Sequence, residues 1–164
     1  MENNRRASIF AITKEYDEIS HSILTLAGVI PINAGEQEES ITAETLGISW
    51  KKALWDTGAT QCCISDRLAT ALDIPQVDFV DVATAAGIIQ FPVHKMHLIL
   101  PNNLVFHDLE AIGFTYADDD CDLIIGMDIM TQGDLSLTNM EGRTVFSFRI
   151  PSLHVVDFEA EHSR

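Results

Sequence analysis

One carboxylate in the chain is set where it could act on a bound molecule. Asp56 ends the apolar run Ala53-Leu54-Trp55 and is followed at once by Thr57, Gly58 and Ala59. The run reads as a strand, Thr57 adds a hydroxyl, Gly58 a permissive backbone and Ala59 room beside the loop. A carboxylate held by its strand and presented by its loop suits general acid or base work. The same residues also suit a plain hairpin turn, since Asp and Gly are ordinary turn formers. The flanking elements must decide between the two.

Upstream, Ile9 to Ile12 is a short apolar patch that fits a strand or an arm lying on a neighbour. Ile23 to Ile32 predicts a strand bending at Gly28, and residues 35–40 a charged loop. Ile41 to Leu46 and Ile48 to Trp55 then read as a hairpin about Gly47 that leads into Asp56. Downstream, Gln61 to Ser65 predicts a short strand. Ser65 is a good N-cap, Asp66 suits a first turn, and Ile64, Leu68 and Leu72 recur at helical spacing until Pro75.

Val77 to Thr84 and Ile88 to Leu100 form a hairpin pattern with the small tip Ala85-Ala86-Gly87. Leu104 to Phe114 follows as a strand. Leu123-Ile124-Ile125 is a continuously apolar strand ending at Gly126, and Met127 to Gln132 predicts one or two helical turns stopped by Gly133. Leu135 to Leu137 pairs with Thr144 to Ile150 about the turn Asn139-Met140-Glu141-Gly142, and His154 to Phe158 reads as a last strand.

Composition removes several function classes. The 164 residues suit one domain with 46% hydrophobic residues for its core. A net charge of -15, with only 10 Lys and Arg, argues against a nucleic-acid partner. The longest apolar stretch falls short of a membrane span, so no membrane partner is expected. Cys62, Cys63 and Cys121 have no metal-ligand spacing and no secretory leader before them, so they are expected to be reduced thiols of a cytoplasmic protein.

Asp118 to Asp122 alternates oxygens as a calcium loop does, but Leu123 stands where that loop needs Gly and Ile129 where it needs Glu. A solvated acidic turn is expected there. His94 and His97 differ by three along a presumed strand, which sets them on opposite faces and argues against a shared metal. No metal and no organic cofactor is expected.

The order of these elements resembles the retropepsin-type aspartic proteases, over roughly Ile41 to Ile150. Two motifs carry the likeness: Asp56 to Ala59, and Ile124-Ile125-Gly126. The resemblance implies an all-β, single-lobe, β-barrel-like domain with one or two short helices that dimerises. Asp56 is similar to the catalytic carboxylate, Thr57 to the residue whose hydroxyl ties two catalytic loops together, and Gly58 to the glycine beside the shared water. Thr84, Ala85, Ala86 and Gly87 are similar to the flap over a bound peptide, although that family's tip is richer in glycine. Leu123 to Gly126 resembles the strand behind the catalytic loop. Residues 1–40 have no counterpart and are set apart as an N-terminal extension, and residues 151–164 as a C-terminal strand and tail.

Hydrolysis by this route needs two carboxylates close enough to share a proton, one as base toward water and one as acid toward the carbonyl oxygen. The chain has one Asp-Thr-Gly; Asp128 lacks the Thr-Gly turn and fits a helix N-terminus better. The expectation is a homodimer in which Asp56 meets its own copy, cleaving an extended protein or peptide substrate. The alternative is a peptide-binding or scaffolding module that keeps the fold without hydrolysis, suggested by the non-glycine flap and by bulky Trp55 beside Asp56. A glycosidase lacks sugar-stacking aromatics here, with two Trp and two Tyr, and no Ser or Cys sits in a nucleophile elbow.

Overall fold

Alternating apolar residues draw most of the chain into two sheets. The computed structural model describes residues 8–32, 48, 50–84, 87–115 and 121–162. The first sheet has three strands in the order β1-β10-β9, where β1 is Phe10–Tyr16, β9 Asp134–Met140 and β10 Arg143–Ile150. The second has seven in the order β2-β3-β8-β4-β7-β6-β5. Its strands are β2 Ile23–Pro31, β3 Trp50–Trp55, β4 Cys63–Ser65, β5 Gln76–Thr84, β6 Gly87–Ile99, β7 Val105–Phe114 and β8 Leu123–Ile125.

An additional β2–β6 pairing closes six of these strands on themselves, leaving β5 outside. The all-β, barrel-like architecture expected from the sequence is therefore present. Closure happens at Gly28, which faces Trp50 of β3 on one side and Ile99 of β6 on the other. A Cβ at that position would lie 2.3 Å from the Ile48 side chain and 2.8 Å from that of Ile99, so the handover from one partner to the next needs glycine.

The barrel interior is filled by Ala27, Ala53, Ile64, Met96, Leu98, Ala111, Leu123 and Ile125, all buried. The three-stranded sheet packs on it through Phe146 and Phe148, whose rings lie 4.8 and 4.9 Å from that of Trp55. The stretch before residue 41 thus supplies strands to both sheets: β1 pairs with β10 from Phe10 to Tyr16, and β2 with β3 and β6.

Among the described residues there are three short helices rather than one or two: α1 Asp66–Ala71, α2 Met127–Met130 and α3 Phe158–His162. Ser65 caps α1, its hydroxyl accepting from the Leu68 N–H, as its sequence predicts. The third helix corrects the reading of His154 to Phe158 as a strand. That segment is irregular and runs into α3, because the Asp157 carboxylate takes the Ala160 N–H and its carbonyl the Glu161 N–H. The proposed strand Ile41 to Leu46, the tip Ala85-Ala86 and the acidic turn at 118–120 lie outside the described residues.

Candidate active site

Asp56 stands where β3 stops. The Asp56 N–H donates to the Ile125 carbonyl at 3.0 Å, extending by one residue the parallel pairing of β3 with β8. The chain then turns back at once: Gly58 N–H donates to Asp56 Oδ1 at 2.8 Å and Ala59 N–H to the Asp56 carbonyl at 3.1 Å. A carboxylate fixed by a backbone donor keeps one oxygen oriented and the other available. Asp56 is half-buried and Thr57 and Gly58 are exposed, so the loop faces solvent while its stem is in the barrel.

A second layer holds the loop from behind. The first N–H groups of α2 have no helical partners, and they point at the loop: Met127 N–H donates to the Ala59 carbonyl at 2.9 Å and Asp128 N–H to that of Thr60 at 3.2 Å. Asp128 returns the contact, accepting from the Cys62 N–H at 2.9 Å and from the Cys62 thiol at 3.1 Å. Gly126 is the crossing point. A Cβ there would lie 2.6 Å from both the carbonyl carbon and oxygen of Gln61 and 3.0 Å from the Ala59 oxygen, so the Gly of Ile124-Ile125-Gly126 is demanded by one backbone passing over another.

The thiols are not equipped to act as nucleophiles. Burial pushes Cys62 far up, with the Asp128 charge adding to it, and burial raises Cys63 to about 11, helped by the charges of Asp128 and Asp56. Cys62 instead serves as a donor to Asp128 and an acceptor for the Gly126 N–H at 3.4 Å. Trp55 is buried, with its ring against Phe146 and Phe148, and its Nε1–H donates to Thr25 Oγ1 at 2.9 Å.

A cavity of about 370 Å³ opens beside Asp56, lined by Ser20, His21, Ser22, Ile23, Leu54, Trp55 and Leu137 as well as the carboxylate. A larger one, about 660 Å³ between β1, β2 and Pro101-Asn102, touches none of the expected site residues. Thr84 and Gly87 face each other at the end of the β5–β6 hairpin, with Gly87 at φ +116°, a conformation that favours glycine. Ala85 and Ala86 lie outside the described residues.

A family model described as "gag-polyprotein putative aspartyl protease" matches residues 42–132, more than half of the chain. The chain belongs to that aspartyl protease family. The matched span holds the whole Asp56 loop and the β8–α2 segment that crosses it. The fold is similar to the crystal structure of a retropepsin-like aspartic protease from Rickettsia conorii, with a TM-score of 0.50 and 11% identity over 87% of this chain and 95% of that one. No curated protein matches the chain.

In this member of the family Asp56, Thr57 and Gly58 lie on one loop, as the sequence predicts, with Leu123 to Gly126 behind it. The sequence does not reveal Asp128 as the clamp of that loop, nor the contribution of Ser20 to Ile23 and Leu137 to the cavity wall. The Asp128 contact spans 66 positions in sequence, and only the closing of β8 against β3 and β4 brings it about. His94 and His97 are both buried. His94 Nδ1 lies 3.4 Å from the Ile74 carbonyl, and His97 Nδ1 accepts from the Asp108 N–H at 2.9 Å.

Proposed function

We propose that the protein is an aspartic endopeptidase, active as a symmetric homodimer in which the Asp56 carboxylates of two copies share a proton and activate one water. The observation that carries this reading is the mounting of Asp56. One carboxylate oxygen is oriented by the Gly58 N–H, its backbone is bonded into β8, and its loop is exposed at the surface. A single such carboxylate lacks an acid to pair with its base, and among the described residues Asp128 is committed to Cys62. A second copy supplies the missing group without any new residue.

In this reading one Asp56 takes a proton from the water while its copy donates one to the scissile carbonyl oxygen. The two roles exchange in the collapse of the tetrahedral intermediate, when the leaving nitrogen is protonated. Thr57 would join the two loops, and Gly58 would leave the shared water room, since a side chain there would stand 3.1 Å from Asp56 Oδ1. The substrate would lie extended, with Thr84, Ala85, Ala86 and Gly87 closing over it as a flap that excludes water. Asp56→Asn tests the assignment. It should abolish peptide cleavage while leaving the fold and the dimer intact, and cleavage at the parent rate would refute it.

A further inference from the structure

The larger cavity, about 660 Å³, is a slot between two open strand edges. Ala11 to Lys14 line it in unbroken succession, and so do Leu24 to Leu26. Successive side chains of a strand point to opposite faces, so a wall made of consecutive residues is a strand met edge-on. β1 is the last strand of its sheet. β2 pairs with β3 from Ile23 to Gly28 but with β6 only from Gly28 onward, so the stretch before Gly28 has one side open.

Alternation decides which main-chain groups face the slot. The Ile12 carbonyl accepts from the Ser147 hydroxyl of β10 at 3.2 Å, and the Thr144 N–H of β10 turns to the β1 side, donating to the Glu18 carbonyl at 3.2 Å. Ile12 and Lys14 are therefore the residues bonded to β10, and Ala11 and Thr13 turn their N–H and C=O groups outward. On β2, the Tyr16 hydroxyl donates to the Leu24 carbonyl at 2.8 Å and accepts from the Leu24 N–H at 2.9 Å. One phenol does there what a paired strand would do. Leu26 faces the same way two residues on. Its carbonyl is met by the Thr25 hydroxyl at 3.5 Å, and among the described residues its N–H has no acceptor.

The slot is also selective in charge. Its charged lining residues are Lys14 and Lys52, both cations, in a chain of net charge -15. Lys14 shares the inner face of β1 with Ile12 and Tyr16, and its Nζ stands 5.6 Å from the Tyr16 ring centre. Leu24 and Leu26 add an apolar wall, with Leu26 50% exposed. A lysine on an open edge keeps out basic strands and admits one that brings an acid beside it.

From this we infer that the slot is a second peptide-binding site, separate from the Asp56 cavity. It takes an extended, apolar segment of a partner polypeptide as a strand added to β1 at Ala11 and Thr13, with an acidic side chain beside Lys14 and Leu26 bonding across from β2. The site goes beyond the proposed function and does not depend on it.

The test uses the full chain carrying Asp56→Asn, so that the probe is not cut. The probe is a labelled peptide, Thr-Val-Thr-Glu-Thr-Val, which sets valine, glutamate and valine on one face of a strand. Its binding, followed by fluorescence anisotropy, should saturate, and amide exchange should slow at Ala11, Thr13 and Leu26. Thr13→Pro removes an outward N–H and leaves the bonds to β10 whole, so it should weaken binding at least about tenfold. Lys14→Glu should weaken it as much and should admit the sister peptide with lysine in place of glutamate. That exchange of charge decides the matter even if Thr13→Pro does not fold.

Binding that ignores both substitutions, or no saturable binding, overturns the proposal. Ala11 and Thr13 amides that exchange slowly without peptide would also overturn it: the edge would then be covered by the chain itself, or by a second copy if the slowing grows with concentration. None of these outcomes bears on the role of Asp56.

Discussion

Asp128 accepts hydrogen bonds from both the backbone N–H and the thiol of Cys62, at 2.9 and 3.1 Å, and so ties the start of α2 to the strand that leaves the Asp56 loop. Cys62 is fully buried, so its N–H has no water to fall back on. Asp128→Ala should cost about 2–3 kcal/mol in urea unfolding, the range for a charged hydrogen bond whose buried donor is left unsatisfied. Asp128→Asn, which keeps one acceptor, should cost less. Equal losses for the two would show that the carboxylate is not the clamp.

Gly126 gives a second measure of the same crossing. Gly126→Ala places a methyl group 2.6 Å from the Gln61 backbone, which cannot move aside as a side chain could. A destabilisation of about 2–3 kcal/mol is expected from overpacking, together with loss of cleavage as the loop shifts. Gly142→Ala meets no atom within 4 Å and has only its positive φ to satisfy, so about 1 kcal/mol is expected there. The ratio between the two variants, read from urea midpoints, separates contact from conformation.

Trp55 joins the two sheets. Trp55→Ala removes the ring held by Phe146 and Phe148 and leaves Thr25 without its indole partner, for an expected loss of about 3–5 kcal/mol. Such a loss is comparable to the whole stability of a marginal domain. Thermal unfolding should show the drop, and Trp55→Phe should recover part of it. A Trp55→Ala chain that melts as the parent does would contradict the packing described.

Acid should weaken the fold in two windows. Burial, with the neighbouring His107 adding to it, holds His97 below its ordinary value of 6.5, and its neutral Nδ1 accepts from the Asp108 N–H. The unfolded imidazole binds a proton first, so this stability is complete above about pH 6.5 and is lost as pH falls through the folded value. The Ser152 hydroxyl, the Leu153 N–H and Arg149 hold Asp134 down at about 2, against 3.8 when free. That contribution is present above 3.8 and fades as pH falls toward 2. His97→Gln should flatten the fall of the urea midpoint below about pH 6.5, and Asp134→Asn that between about pH 4 and 2. Unchanged pH profiles would contradict both assignments.

Local pattern reached furthest where the signal was local. Ser65 announced a capped helix because a cap depends on backbone conformation within a few residues. By contrast, α2 stops at Met130, short of Gly133, and the turn read as Asn139 to Gly142 narrows to Glu141-Gly142, with Asn139 and Met140 paired in β9. Asp56-Thr57-Gly58 was legible for the same reason as Ser65. Partners brought by closure were not: Asp128 reaches Cys62, and Leu137 reaches the Asp56 cavity, only after the barrel has formed and the β9–β10 hairpin has folded across it. His154 to Phe158 misled because its apolar residues suggested a strand, while Asp157 captured the Ala160 N–H and started a helix instead. Ile23 to Ile32 was legible as a strand bending at Gly28, but its pairing with both β3 and β6, and that of β1 with β10, depend on partners distant in sequence.

The central claim, that Asp56 is catalytic only in duplicate, is tested most directly by mixing. Parent chain at fixed concentration is equilibrated with increasing Asp56→Asn chain, and peptide cleavage is followed. If each active unit needs two intact carboxylates, a threefold excess of the variant should lower cleavage to about one quarter, because random pairing leaves only that share of parent chains with a parent partner. Cleavage that stays at the starting rate throughout the titration would mean that one Asp56 suffices and would contradict the account.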